Sequence, residues 1–334
     1  MLGSLSRAWR HTKEWTLTPR QYAITAYVAL GALTLIVMSG AAVRLTGSGL
    51  GCPTWPKCYG KVYPPLNTHA VIEFSNRMIT VPVSIAAIAA FVLAFKRRPY
   101  RRDLMRVSAL LPLGVFTQAV LGGLTVLGAL DYGWVMAHFA LSMLVVAAAV
   151  ALAWRATYEP GERSLSSDRK LTLWARATVA LGALTIFAGT AATAAGPHAG
   201  GSPGQKINRL DFDGKGTMDF VIHRHGEIAL VFGLAALWVW WLARRHEANP
   251  QIRRWSTITC ALIALQGLVG LDQYKTHLPT ELVWVHVSLA SLSWLAVLWT
   301  ACAAGRLQPR FAASQEPQTS EQAQFSAYSP EIRA

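Results

Sequence analysis

Between Thr68 and Arg77 the chain reads THAVIEFSNR, and His69, Glu73 and Asn76 recur there at the spacing of one helical face. Ionisable groups at the mouth of an apolar segment raise its free energy in a membrane, so they need a partner or a task. Glu73 offers a carboxylate that can act as a general base. Arg77 follows one turn later, and a simple i,i+4 ion pair anchoring the helix mouth is the plain alternative. Three further histidines, His138, His225 and His286, stand in apolar surroundings. Upstream, GCPTWPKCYGK holds Cys52 and Cys58 six residues apart, with Pro53 and Pro56 folding the segment back. In an oxidising compartment such a pair reads as an exposed, labile, redox-active disulfide, or as a structural staple. Zinc fits less well, because only two thiols occur and no paired His spacing accompanies them.

The elements that position these residues are long and apolar. Of 334 residues 53% are hydrophobic and 14% charged, against about 25% charged in a soluble domain. Eight runs, 22–43, 70–95, 105–127, 134–154, 173–194, 218–243, 256–272 and 281–304, are each near the ~20 residues that cross a bilayer. The expected fold is an all-α integral membrane protein. The first run lacks a convincing cleavage site and reads as a retained span. With the N-terminus inside, the inner segments hold 22 of the 31 Lys and Arg and 9 of the 17 acids. That asymmetry orients both termini to the cytoplasm and accounts for the net charge of +14 without a nucleic acid partner.

The eight runs repeat as two sets of four. GALTLIVMSG at Gly31 matches GALTIFAGTA at Gly182, and QAVLGGL at Gln118 matches QGLVGLD at Gln266. Each Gln precedes a His by 20 residues, Gln118 by His138 and Gln266 by His286, and interhelical hydrogen bonding is a sufficient reason for it. An offset of 149 carries Asn76 onto His225. The organisation expected is an arm over 1–21, a four-helix repeat over 22–154 and a linker over 155–172. A second repeat over 173–304 and a disordered tail over 305–334 complete it.

In this topology Asn76, His138, His225 and His286 lie on four helices that enter from the outer side, four to eight residues in, or roughly 6–12 Å deep. Two imidazoles facing at one level of a four-helix bundle suit axial ligation of haem. A lone intramembrane His serves equally well as an interhelical donor, but the matched pair His225 and His286 favours ligation. Cys260 and Cys302 read as small core residues.

VRLTGSGLGCPTWPKC, then IEFSNR, then a histidine in the fourth span and one each in the sixth and eighth, resemble the haem A synthase family over residues 22–304. The resemblance implies two tandem four-helix bundles in a bacterial cell membrane. It implies oxidation of a methyl group of haem O to the formyl group of haem A, destined for terminal oxidases. It assigns haem b to His225 and His286, the substrate haem to His138, the essential carboxylate to Glu73 and relay of reducing equivalents to Cys52 and Cys58. Arg77 then pairs with Glu73 or with a haem propionate. Many members carry His where this chain has Asn76, a poor iron ligand, so His138 alone holds the substrate, with His69 a second candidate ligand. Expected partners are a haem O-producing farnesyltransferase, terminal oxidase assembly and a membrane electron acceptor; self-association is left open. Two other functions are compatible with intramembrane polar groups: a haem b electron-transfer cytochrome without catalysis, and a transporter. Against the transporter, the two halves run parallel and no interrupted helix pair is evident.

Overall fold

The structure is a computed structural model that describes residues 15–307 apart from 161, 163, 164, 167 and 213–215. It contains eight long helices: α1 (Pro19–Leu45), α2 (Thr68–Ala94), α3 (Arg102–Leu127), α4 (Tyr132–Thr157), α5 (Arg169–Ala195), α6 (Thr217–Arg245), α7 (Pro250–Lys275) and α8 (Thr280–Ala303). All eight are long and apolar enough to cross a membrane, which makes this a multi-pass membrane protein. Seven of them are longer than their apolar runs, because polar caps lie outside the greasy stretch, and α8 equals its run at 24 residues. Thr18 and Gln21 form a capping box before Pro19. Asn67, Asp131, Asp168 and Asn249 each accept a backbone N–H at the start of a helix. Many of the larger apolar side chains, among them Leu35, Ile85, Phe116, Leu144, Leu230 and Leu268, face outward, as a lipid-exposed surface requires.

Helices α1–α4 pack in a ring as one bundle, and α5–α8 as a second. Within each ring neighbouring helices touch, so α2 stands diagonally from α4, and α6 from α8. The two bundles meet through α4 and α8, flanked by α1 against α8 and α4 against α5. A tandem duplication with pseudo-twofold symmetry generates this pattern, because exchanging the halves maps α1–α8 onto α5–α4. Trp294 fixes the centre of the seam: it is buried, and its Nε1 donates to the Met143 carbonyl at 3.0 Å. Nearer the edge, Trp284 donates to the Met38 carbonyl at 3.1 Å.

Some of the basic residues do more than set orientation. Arg97 is fully buried and donates to Glu159 and to the Pro99 carbonyl. Arg101 binds Asp103 at 2.7 Å and the Arg155 carbonyl at 2.8 Å, which ties the loop before α3 to the end of α4. The 155–172 linker is not free of structure, since Leu165–Ser166 (β1) pairs in parallel with Arg306–Leu307 (β2) just after α8. The tail expected to be disordered therefore begins with two paired residues; from 308 onward it lies outside the described residues, as does the arm before Trp15.

The seam makes a stability prediction. Trp294→Ala should remove about 3–5 kcal/mol, the usual loss for a buried Trp. Trp284, 41% exposed, should lose little beyond its hydrogen bond, about 0.5–1.5 kcal/mol. Unfolding midpoints in mixed micelles of increasing dodecyl sulfate should rank the variants in that order.

Candidate functional site

Helices α2, α4, α6 and α8 all begin at the end of the molecule that carries the Cys52–Cys58 disulfide. Asn76 and His225 lie eight residues past the first residue of their helices, and His138 and His286 six. At about 1.5 Å per residue the four positions sit some 9–12 Å inside. His225 and His286 face each other across the second bundle with ring centroids 6.3 Å apart and planes at 76°.

Each imidazole lies against a glycine of the neighbouring helix. A Cβ on Gly189 would stand 3.1 Å from His225 Cε1, one on Gly270 3.0 Å from His286 Cε1, and one on Gly122 3.2 Å from His138 Cε1. Those distances are too short for ordinary packing, so the rings reach their places only because no side chain is there. His225 Nδ1 is 3.1 Å from the Thr185 carbonyl. The two conspicuous glutamines have the interhelical role expected of them. Gln118 Nε2 donates to the His138 carbonyl and Gln266 Nε2 to the His286 carbonyl, each at 3.0 Å. Gln118 also reaches Ser142 at 2.7 Å. Among the described residues, His138 Nδ1 and His286 Nδ1 are buried without a hydrogen-bond partner. The glycine seats recur in both halves, as expected of built positions rather than of loose core histidines.

The first half adds a carboxylate. Glu73 is buried, at 6% exposure, and bonded on both oxygens. Oε1 accepts from Arg77 Nη2 at 2.5 Å, and Oε2 from the Cys52 backbone N–H at 2.6 Å. Arg77 in turn donates to the carbonyls of Cys52 at 2.8 Å, Thr54 at 3.0 Å and Pro56 at 3.4 Å. Sequence reasoning set the i,i+4 pair against a chemical task; the pair exists, and it also clamps the cysteine loop onto α2. No residue of the second half repeats it, because the 149 offset carries Glu73 to Ile222 and Arg77 to Gly226.

Cys52 and Cys58 are disulfide-bonded. The expectation that this bond is exposed is corrected: both cysteines are fully buried, packed with Ala70 against Phe74. The Glu73–Arg77 clamp draws the loop backbone down, and the sulfurs go beneath it. Trp55, between the cysteines, lies over Gly123, where a Cβ would be 2.7 Å from its ring. The loop thereby touches α3 one residue from the glycine under His138.

Asn76 Oδ1 accepts from Ser39 of α1 at 2.7 Å. His69 stays at the helix mouth, its Nδ1 3.0 Å from Ser48 Oγ. His198 bonds the Leu278 carbonyl at 2.8 Å, and His246 bonds Asp168 at 2.5 Å, so both serve structure. The residues that sequence reasoning missed are the glycine seats, Thr185, Ser39 and Trp55. The available signal was a glycine four residues after Gln118, Thr185 and Gln266 alike. The cysteine-free loop of the second half was also unread as a partner. It reaches the first half, with Gly49 N–H donating to the Gly200 carbonyl at 2.9 Å and Ser202 Oγ to the Gly47 carbonyl at 2.9 Å.

Fold and site together define a duplicated four-helix-bundle membrane protein with imidazoles at one depth and a buried carboxylate in one half only. The chain belongs to the cytochrome oxidase assembly protein family COX15-CtaA, whose sequence model matches residues 23–298. It is 34% identical over 132 residues to a heme A synthase of Bacillus pumilus, covering 39% of this chain and 42% of that one. It is 27% identical over 289 residues to a protoheme IX farnesyltransferase of Thermus thermophilus, covering 81% of this chain and 46% of the relative. A heme A synthase of Bacillus cereus is 24% identical over 308 residues, 86% of this chain and 95% of its own length. The chain thus spans less than half the length of the first two of these relatives.

Burial of the disulfide has a measurable consequence. A membrane-impermeant phosphine should reduce Cys52–Cys58 slowly, and only through local opening. Arg77→Ala or Glu73→Ala removes charge-assisted bonds of about 1.5–3 kcal/mol, so reduction should accelerate roughly ten- to a hundredfold. Gly123→Ala, which displaces Trp55, should accelerate it as well. Thiol labelling against time reads the rate, and equal rates in all four proteins would contradict the clamp.

Proposed function

We propose that the chain is a haem A synthase, an oxidoreductase that converts a methyl group of haem O to a formyl group. The observation that carries this reading is the facing pair His225 and His286, with ring centroids 6.3 Å apart. Two metal–imidazole bonds of about 2 Å and two ring radii of about 1.1 Å span ~6.2 Å, so the pair fits one iron. A haem b held by both Nε2 atoms would supply a one-electron carrier beside the reaction. The glycine seats, and the Thr185 carbonyl 3.1 Å from His225 Nδ1, support that fit.

Haem O is the substrate of the first half, with His138 as its iron ligand. Glu73 acts at the reacting methyl, taking a proton or stabilising positive charge, and Arg77 holds it in place. Because Glu73 also accepts from the Cys52 N–H, the carboxylate and the disulfide loop are one unit. The Cys52–Cys58 pair then relays reducing equivalents through that unit. Both termini lie in the cytoplasm of a bacterial cell, and the disulfide end faces outward. The similarity to a longer protein named protoheme IX farnesyltransferase supports a handover of substrate from an enzyme that farnesylates protohaem.

The rival reading is a haem b cytochrome that only passes electrons. It has no use for a buried carboxylate in one half whose counterpart in the other is Ile222. Glu73→Gln keeps the size and removes the charge. Pigment extracted from cells supplied with haem O should then show haem A formation falling by about 10²–10⁴-fold while the haem b spectrum persists. His225→Ala or His286→Ala should instead abolish that spectrum. Near-normal haem A in the Glu73 variant would leave Glu73 only its structural role.

A further inference from the structure

At the end opposite the disulfide, the two halves treat their cations differently. In the first half Arg97 is buried on Glu159, and Arg101 binds Asp103 at 2.7 Å and Glu159 at 3.3 Å. In the second half the offset of 148 between α3 and α7 puts Gln251 opposite Asp103. Among the described residues no carboxylate pairs with Lys170, Arg244, Arg245, Arg253 or Arg254. Tryptophans stand there instead. Lys170 Nζ of α5 lies 5.1 Å from the centre of the Trp238 ring, and Arg245 Cζ of α6 lies 5.6 Å from that of Trp241. Trp238 and Trp241 stack at 4.9 Å with planes 15° apart, so two cations flank one aromatic slab. Trp174 of α5 meets Trp238 edge-on at 6.5 Å. The helix register that sets Asn76 against His225 gives Ala89 and Val92 opposite Trp238 and Trp241, so the slab belongs to the second half alone. Arg244 turns to α7, lying 4.0 Å over Trp240 and donating to Thr257 at 2.7 Å.

We propose that Lys170, Arg245 and the Trp238–Trp241 stack bind the headgroup of an anionic phospholipid at the inner membrane surface. Both cations are exposed, and apart from the rings neither side chain has a partner among the described residues. Their ammonium and guanidinium donors are therefore open to phosphate oxygens, while the cation–π contacts hold them in place. Trp174 and Trp241 are 40% and 42% exposed in the same cluster. Indole rings settle at headgroup level, with an apolar body toward the acyl chains and a polar edge toward water. A soluble phosphate would use the cations and leave those rings wet, whereas a lipid covers both. In the orientation proposed above this end meets the cytoplasmic leaflet, where each nearby cation raises the affinity for anionic lipid about fivefold.

The test strips the full chain of lipid in detergent and titrates it with dioleoyl phosphatidylglycerol or dioleoyl phosphatidylcholine, with bound lipid counted by native mass spectrometry. The wild type should bind one phosphatidylglycerol roughly thirtyfold more tightly than phosphatidylcholine, the product of two cations. Lys170→Gln combined with Arg245→Gln should abolish that preference. Lys57→Gln combined with Lys61→Gln removes the same charge from the outer loop and should leave it intact. Trp241→Ala should weaken phosphatidylglycerol severalfold, and a large excess of glycerol 3-phosphate should not displace the lipid. Unchanged helical content by circular dichroism certifies each variant as folded. A preference that survives the inner double variant, or that falls equally in the outer one, would overturn the proposal. Displacement by glycerol 3-phosphate would assign the site to soluble phosphates, and an unaffected Trp241→Ala would leave only diffuse charge; either result also overturns the lipid site.

Discussion

A polar group inside a bilayer has no water to fall back on, so it must be satisfied by the helices around it. The arrangement of this protein follows from that constraint. His225 turns Nδ1 to a helix carbonyl, and two glutamines cross between helices to the carbonyls of His138 and His286. Glu73 places one oxygen on Arg77 and the other on a loop N–H. Arg97, fully buried at the other end, finds Glu159 and a carbonyl. Apart from Glu73–Arg77 within α2 and Arg97–Pro99 within its loop, these bonds join different elements, so satisfying the polar groups and assembling the bundles are one process.

Glycine makes the assembly possible. A ring can reach the backbone of a neighbouring helix only where that helix has no Cβ, and Gly122, Gly189 and Gly270 supply the gaps. The interior glycines weaken the helices by about 1 kcal/mol each relative to alanine, a penalty offset by interhelical packing. The disulfide loop uses the same device when Trp55 settles on Gly123.

Duplication supplied two similar scaffolds, and a few substitutions at matching positions set their chemistry apart. Asn76 stands against His225, Glu73 against Ile222 and Arg77 against Gly226, and one outer loop has cysteines where the other has none. Those differences all fall in the half proposed for chemistry, at the end where the Cys52 loop is clamped. The second half contributes its outer loop as a strap, with Ser202 bonded to Gly47. Neither half completes its outer surface alone.

The amino-acid sequence by itself determined the eight spans, the twofold repeat of a four-span unit, the level shared by Asn76, His138, His225 and His286, and the residues worth testing. Length, apolar content and the 149-residue offset are local or periodic properties, and a linear string carries them in full. Helix ends were displaced outward because caps such as Thr18 and Asn67 lie beyond the apolar runs. Only the tertiary structure decided that the Cys52–Cys58 disulfide is buried. That outcome depends on Glu73 and Arg77 reaching over from α2, a contact between segments some twenty residues apart. The glycine seats, the Ser39–Asn76 bond and the placement of Trp55 were hidden for the same reason. Each joins side chains on different helices, and which faces of two helices meet is set by packing rather than by the order of residues along either one.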